Sequence, residues 1–122
     1  MEKIIFIVDD NDANLVMASS ALEDDYKVLT MPSAQKMFWL LERKKADLIL
    51  LDIEMPEITG FEAIEKLKED SRWKDIPVIF LTGRDEEEIN AIADKTQALA
   101  VVNKPIEAQV LKDCVKKYLS DS

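Results

Sequence analysis

The sequence lacks the residues on which many active sites depend. Histidine is absent from the 122 residues, and Cys114 is the one cysteine. Ser-His-Asp and Cys-His catalytic arrangements are therefore excluded, as are zinc sites built from histidine and cysteine and any intramolecular disulfide. Chemistry in this chain must rest on carboxylates, lysines and hydroxyls, whose oxygen atoms suit Mg²⁺, Ca²⁺ or Mn²⁺.

Long apolar runs are also missing. Apolar runs such as IIFIV (4–8) and LILL (48–51) do not exceed five residues, far short of the ~20 residues that a membrane-spanning helix needs. The first residues do not form a signal peptide, because two acids follow the short apolar run where a small-residue cleavage site would stand. We therefore expect a cytoplasmic protein that does not bind a membrane.

Positive charge is scarce. The chain has 16 basic and 25 acidic residues, a net charge of −9. A nucleic-acid-binding domain should show a basic patch, so nucleic acid is not an expected partner, and solubility accounts for most of the charge. The length and the lack of repeats or linkers predict one domain over residues 1–122.

Apolar, β-branched runs alternate with amphipathic segments along the chain. The predicted strands are 4–8, 26–30, 47–51, 77–81 and 98–102, and the predicted helices are 12–24, 34–44, 59–69, 85–95 and 106–119. Ser33 is expected to cap the second helix. The order (βα)5 predicts an α/β fold with a doubly wound, five-stranded parallel sheet and helices on both faces.

Polar residues stand at the carboxyl ends of four predicted strands, where doubly wound sheets bind their ligands. They are Asp9-Asp10, Asp52, Thr82-Gly83 and Asn103-Lys104-Pro105. Gly83 would allow close backbone approach to a ligand, and Gly60 suits a turn or helix start on the same edge. Each group alone has a plain structural explanation: a solvated acid pair, a helix-capping threonine, a Lys-Pro turn.

Together these residues are typical of a phosphoryl-transfer site. Three neighbouring carboxylates need a counter-charge at neutral pH, and Mg²⁺ commonly joins carboxylates to a phosphoryl group. Lys104 would add positive charge for phosphate, and Thr82 would add a hydrogen-bond donor. Such a site works by positioning and charge neutralisation, and one carboxylate can act as nucleophile to form an aspartyl phosphate.

Four segments match one known pattern: VDDN (8–11), LLDIEMPEITG (50–60), FLTG (80–83) and VNKP (102–105). Through them the chain closely resembles a response-regulator receiver domain of two-component signalling, the CheY-like type of flavodoxin-like fold. The joint spacing is highly specific and spans essentially the whole chain. The resemblance implies a signalling switch that catalyses its own phosphorylation and dephosphorylation and is otherwise not an enzyme.

The resemblance also implies the acceptor and the metal ligands. Asp52 would accept a phosphoryl group from a phosphohistidine of a sensor histidine kinase or phosphotransfer protein. Asp10 would coordinate Mg²⁺ directly, together with Asp52 and the backbone carbonyl of Glu54. Asp9 would act mostly through a metal-bound water, and Mn²⁺ would suit the same ligands.

The remaining motif residues receive supporting roles from the resemblance. Lys104 and Thr82 would contact the phosphoryl oxygens, and Lys104 would pair with the Asp52 carboxylate before phosphorylation. Pro105 would shape the Lys104 loop through a cis Lys-Pro bond. Gly83 replaces the family's usual alanine and is small enough for the same role.

Two positions suggest features of this particular chain. Val101 stands where the family usually has Tyr or Phe, so we expect any switch to act mainly through Thr82 and residues 85–95. Valine is also simply a good residue for a buried strand. Glu54 and Arg84 are expected to pair and slow phosphoryl loss; the alternative is two solvated side chains, since exposed pairs contribute only about 0–1 kcal/mol.

Three surface features carry further expectations. The resemblance implies that the output face is formed by the predicted helix 85–95, the fifth strand and the last helix. Here it carries residues of both charges, which could support a homodimer: Glu86, Glu87, Glu88, Lys112, Lys116 and Lys117. Two ordinary solvated helices would look the same. Trp39 lies off the apolar stripe of its helix, so it should be partly exposed and is a candidate interface residue. Cys114 should be a buried, inert thiol.

Two functions of other classes remain open from the residues. One is a haloacid-dehalogenase-like phosphatase, although that family has Asp-x-Asp after its first strand, whereas here Asp52-x-Glu54 follows the third. The other is a receiver-fold interaction module that no longer uses phosphorylation. The intact set of acids, threonine and lysine argues against this module, and Val101 is the feature in its favour.

Overall fold

The strands form the predicted parallel sheet. The computed structural model describes residues 2–83, 87–88, 91 and 98–119. The strands are β1 Ile4–Val8, β2 Lys27–Met31, β3 Leu48–Asp52, β4 Val78–Thr82 and β5 Ala100–Asn103. They lie in the order β2-β1-β3-β4-β5, and every neighbouring pair is parallel. The order reverses beside β1, so the crevice at the carboxyl ends of β1 and β3 is the expected ligand site.

Four helices cover the sheet in the described part of the chain. They are α1 Asp12–Leu22, α2 Ala34–Leu41, α3 Gly60–Glu69 and α4 Ala108–Leu119. Ser33 caps α2 as predicted, because its side chain accepts a hydrogen bond from the Lys36 N–H. Of the predicted helix 85–95, only Glu87, Glu88 and Ala91 are described, and they are helical. None of these helices is long and apolar enough to cross a bilayer.

Several element ends differ from the sequence prediction. The strands β2 to β5 begin and end one or two residues later than predicted, so Asp52 and Thr82 are the last residues of their strands. The predicted α2 ran to residue 44, whereas the helix ends at Leu41. The chain turns there, with the Lys44 N–H donating to the Leu40 carbonyl, and then buries Ala46 before entering β3.

The core consists of two apolar layers, one on each face of the sheet. Alternate residues of β1 point to opposite faces, so Phe6 packs with α2 and α3 while Ile5 and Ile7 pack with α1 and α4. All residues of β3 and β4 are buried. Burying each large apolar side chain contributes about 1.5–3 kcal/mol. The two central strands are therefore rigid and fix the positions of the residues at their carboxyl ends.

Two isolated side chains can be compared with their predictions. Trp39 is 48% exposed, which confirms the predicted partial exposure. Cys114 is half-buried rather than fully buried, because α4 packs its stripe on the core through Leu111 and Val115 and leaves the thiol at the margin. Burial raises the pKa of the Cys114 thiol despite the nearby Lys117, which favours the protonated, less reactive form.

Candidate functional site

Three carboxylates meet at the carboxyl ends of β1 and β3. Asp9, Asp10 and Asp52 each offer an oxygen, and these atoms lie within 4.8 Å of one another. The parallel register that places Val8 beside Leu51 brings the residues that follow them together. Asp9 and Asp52 are buried, whereas Asp10 is exposed. The predicted acidic cluster is therefore present at the predicted edge.

Lys104 supplies positive charge to this cluster. Its ammonium nitrogen lies 2.9 Å from Asp52 Oδ1 and 2.9 Å from Asp9 Oδ2. The loop that carries it is fixed by a hydrogen bond from the Lys104 N–H to the Thr82 carbonyl and contains the predicted cis bond to Pro105. The contact with Asp52 agrees with the family pattern, but the contact with Asp9 was not predicted. One lysine thus bridges two buried carboxylates.

The charges of Asp52 and Lys104 depend on each other. Burial raises the pKa of Asp52 to about 6, and the nearby Asp9 charge adds to this rise, while hydrogen bonds from Lys104 and the Glu54 N–H oppose it. Burial lowers the pKa of Lys104, but its contacts with Asp9 and Asp52 outweigh burial and the pKa is raised. At neutral pH the aspartate is therefore ionised and the lysine charged.

Asp9 provides a test of whether the cluster suits a cation. Its Oδ1 accepts hydrogen bonds from the Asn11 N–H and the Asn14 side chain. Its Oδ2 is buried and forms an ion pair with the Lys104 ammonium at 2.9 Å, while no described residue donates a hydrogen bond of good geometry to it. An oxygen left in this state beside two further carboxylates is a suitable ligand for a hard divalent cation or its bound water. The donor set therefore fits a metal ion.

Asn14 is a site residue that the sequence analysis missed. It lies on the first turn of α1, and its amide reaches Asp9 Oδ1 at 3.5 Å. Asn11 caps the same helix, because its side chain accepts a hydrogen bond from the Asn14 N–H. The available signal was Asn11 as a candidate N-cap, which places Asn14 in the first turn of the helix that follows Asp9. The pair positions the buried Asp9 carboxylate.

The other predicted site residues lie near the same edge. Thr82 is buried at the end of β4, where Leu81 pairs with Asp52 across the sheet. Gly83 follows it and is exposed. Val101 is half-buried, lies opposite Phe80 and packs on the α2–α3 side of the core, as expected of a strand valine. Arg84 lies outside the described residues, so its pairing with Glu54 stays a prediction.

Gly60 is required by the way α3 passes over the end of β3. Its N–H donates to the Ile53 carbonyl. A Cβ at this position would lie 2.6 Å from the Asp52 carbonyl oxygen and 2.7 Å from Ile53 Cα, whereas a Cβ on Gly83 would meet nothing within 4 Å. Both close atoms belong to the backbone of the loop that follows Asp52, so the loop itself would have to move.

We expect Gly60→Ala to destabilise the protein and Gly83→Ala to leave its stability nearly unchanged. Overpacking against backbone costs typically about 1–3 kcal/mol, and the Gly60 contact is severe enough for the upper part of that range. Urea denaturation of both variants measures the difference. Equal urea midpoints for Gly60→Ala and the unmodified protein would show that the loop after Asp52 can move at little cost in stability.

Comparison with known proteins agrees with this geometry. The family model described as the response regulator receiver domain matches residues 5–116. The polar-differentiation response regulator DivK of Brucella ovis is 32% identical over 127 residues, with all of both chains covered. The structure of the chemotaxis protein CheY4 of Vibrio cholerae superposes with a TM-score of 0.89 at 25% identity, covering 98% of this chain and 100% of that one.

A further relative is much longer than this chain. A probable cyclic di-GMP phosphodiesterase of Vibrio cholerae is 35% identical over 117 residues, which are 96% of this chain but 26% of that protein. The shared part is the receiver region, since it coincides with nearly the whole of this chain. The chain thus belongs to the response regulator receiver domain family, with the CheY-like fold and a phosphoacceptor function in two-component signalling. This membership decides against the haloacid-dehalogenase-like alternative.

Proposed function

We propose that Asp52 is the phosphoacceptor and that a phosphohistidine of a sensor histidine kinase or phosphotransfer protein is the donor. The observation that carries this assignment is the position of the Asp52 carboxylate. Asp52 is the last residue of the buried strand β3. Its carboxylate lies within the acidic cluster and accepts a hydrogen bond of 2.9 Å from Lys104. Asp10 is exposed and Asp9 is held by Asn11, so Asp52 is the carboxylate best placed to act as nucleophile.

The proposed reaction is an in-line displacement. An Asp52 oxygen attacks phosphorus, the P–N bond to the donor imidazole breaks, and its electron pair returns to the ring nitrogen. Lys104 then shifts its contact from the carboxylate to a phosphoryl oxygen, and Thr82 donates a hydrogen bond to another. Hydrolysis of the aspartyl phosphate releases phosphate and restores Asp52. The domain thus catalyses its own modification and turns over no separate substrate.

A divalent cation completes this proposal. Asp10, Asp52 and the Glu54 backbone carbonyl would hold Mg²⁺ directly, and Asp9 would hold it through water. When bound, Mg²⁺ neutralises the carboxylates and the transferred group. The support from this structure is the cluster of three carboxylates, whose oxygens lie within 4.8 Å of one another and of which Lys104 contacts two. Mn²⁺ prefers similar oxygen ligands and would substitute for it.

The proposal extends to the setting and partners of the domain. We place all of residues 1–122 in one receiver domain of the cytoplasm, with no nucleic acid among its ligands.

A homodimer would oppose Glu87 and Glu88 with Lys112, Lys116 and Lys117 of a second copy, and these described side chains are exposed. Exposed opposite charges would favour such pairing weakly.

The experiment that tests the function is phosphoryl uptake from acetyl phosphate, followed by intact mass spectrometry. With Mg²⁺ we expect a single phosphoryl group per chain, and with EDTA we expect none. Beryllofluoride, which mimics an aspartyl phosphate, should bind under the same metal-dependent conditions. Absence of both, while another receiver domain is modified in parallel, would identify an interaction module that no longer uses phosphorylation.

A further inference from the structure

A cleft lies at the edge of the sheet opposite the acidic cluster. Its volume is 420 Å³, and its apolar floor includes Leu41, Trp73 and Ile76. It is formed by the end of α2, the turn into β3 and the loop before β4. Asp52 lies at the far end of β3, and a strand of five residues spans about 16 Å. The cleft is thus separate from the proposed phosphorylation site.

The rim of this cleft is basic, although the protein as a whole is acidic. Residues 36–45 hold four of the 16 basic residues and one of the 25 acids, a local charge of +3 in a chain of −9. Arg43, Lys44 and Lys45 line the cleft and are exposed. Lys45 is 3.5 Å from Asp47 with 83% of its side chain exposed, a pair that solvent weakens strongly. These three cations are thus largely available to a ligand.

Positively charged side chains stack on the aromatic rings beside the cleft. Over the Trp39 ring lie Lys36 at 4.5 Å and Arg43 at 3.9 Å, and over the Trp73 ring lies Arg72 at 4.2 Å. Nucleic-acid-binding grooves of this kind use open aromatic faces on which bases stack. Here cationic side chains already stack on the Trp39 and Trp73 rings. These rings therefore hold the positive groups in place rather than bind bases.

Among the described residues, Arg43 is a rim cation that is held in place without an acidic partner. Besides stacking on Trp39, it donates a hydrogen bond of 2.7 Å from its Nη1 to the Trp39 carbonyl. A planar guanidinium held in this way keeps further N–H donors for a carboxylate and loses little conformational freedom on binding. In contrast, Arg72 is already occupied, because it pairs with Glu42 at 2.8 Å and Asp70 at 2.9 Å.

We infer that this basic cleft binds a short acidic segment of a partner protein, with carboxylates on Arg43, Lys44 and Lys45 and an apolar side chain on the floor. Lys36 and Arg43 both lie over the Trp39 ring, so their charged groups are at most about 8 Å apart, a span that two to three residues of an extended peptide cover. The rest of the chain carries the remaining net charge of −12, from −9 minus +3. A long polyanion would be repelled beyond the rim, so a short segment is favoured.

The test is fluorescence anisotropy of a labelled peptide of sequence EEELEEE with the full chain. We expect saturable binding that weakens with salt, and weaker binding of QQQLQQQ and of EEESEEE. The double variant Lys44→Glu/Lys45→Glu should raise Kd at least about tenfold. The matched control is Lys116→Glu/Lys117→Glu on α4, which makes the same change of charge at exposed positions and should leave Kd within about twofold.

Several outcomes would overturn the inference. Equal weakening by both double variants would mean non-specific charge attraction. Tighter binding of a single-stranded oligonucleotide than of the acidic peptide would identify nucleic acid as the ligand instead. Self-association in sedimentation experiments that the Lys44→Glu/Lys45→Glu variant abolishes, without peptide binding, would identify a second copy of the chain. Phosphoryl uptake by these variants should be unchanged, which separates this inference from the proposed function.

Discussion

Asp52→Asn should abolish phosphoryl uptake and, in the absence of metal, stabilise the fold at neutral pH. An amide cannot attack phosphorus, so we expect uptake from acetyl phosphate to fall at least about 100-fold. The matched control is Asp113→Asn, an exposed acid on α4 that should be phosphorylated like the unmodified protein. Intact mass after fixed incubation times measures both. Normal uptake by Asp52→Asn would place the acceptor on another residue.

The gain in stability follows from the pKa of Asp52. Burial raises it from 3.8 to about 6 in the folded protein, so the folded state holds the ionised carboxylate less well than the unfolded state does. A shift of this size corresponds to about 3 kcal/mol above pH 6. The amide reproduces only part of the hydrogen bonding of a neutral carboxyl group, which offsets roughly half of this gain. We expect Asp52→Asn to raise the free energy of unfolding by about 1–2 kcal/mol at pH 7.5.

The pH dependence identifies the cause of that gain. Since the folded pKa is raised, the destabilisation by the carboxylate is complete above pH 6 and declines as pH falls toward 3.8. The advantage of Asp52→Asn should therefore shrink between pH 7.5 and pH 4.5 in EDTA. Urea denaturation at the two pH values measures it. An advantage that stays constant with pH would instead reflect improved packing of the amide.

The sequence predicted the site because its residues follow directly from the ends of buried strands. Asp52 and Thr82 end β3 and β4, and runs of apolar residues without a break indicate such strands clearly. The segments between strands were harder to predict. The end of α2 was misplaced because residues 42–44 form hydrogen-bonded turns after the helix, and their polar side chains show no apolar periodicity that would mark its end. Periodicity reports the faces of elements but not the turns between them.

Contacts between loops were the least predictable features of the site. Lys104 and Asp52 were paired through a family pattern, yet the equal contact of Lys104 with Asp9 depends on how the β5 loop crosses above β1 and β3. The same holds for the close approach of Gly60 to the Asp52 loop. Each contact joins segments distant in sequence, and no local propensity encodes it. Such contacts decide the charge balance and shape of the site.

Lys104→Met should have a large effect on both stability and phosphorylation. The ammonium is within 2.9 Å of two buried carboxylates, and its side chain is only 20% exposed. Removing one partner of a buried pair leaves charge uncompensated, so we expect a loss of about 3 kcal/mol at pH 7.5 in EDTA. Phosphoryl uptake should fall about 100-fold, because the ammonium that would meet the developing phosphoryl charge is gone.

The double variant Lys104→Met/Asp52→Asn shows whether that loss comes from the carboxylates. If repulsion between the buried acids is the cause, Lys104→Met should cost much less in the Asp52→Asn background, since one negative charge has been removed. Mg²⁺ should likewise stabilise the Lys104→Met protein more than the unmodified one, because it supplies the missing positive charge. Lys112→Met, on the exposed face of α4, controls for the loss of a surface lysine. An equal cost of Lys104→Met in both backgrounds would assign the role of Lys104 to packing of its loop against Thr82 rather than to charge.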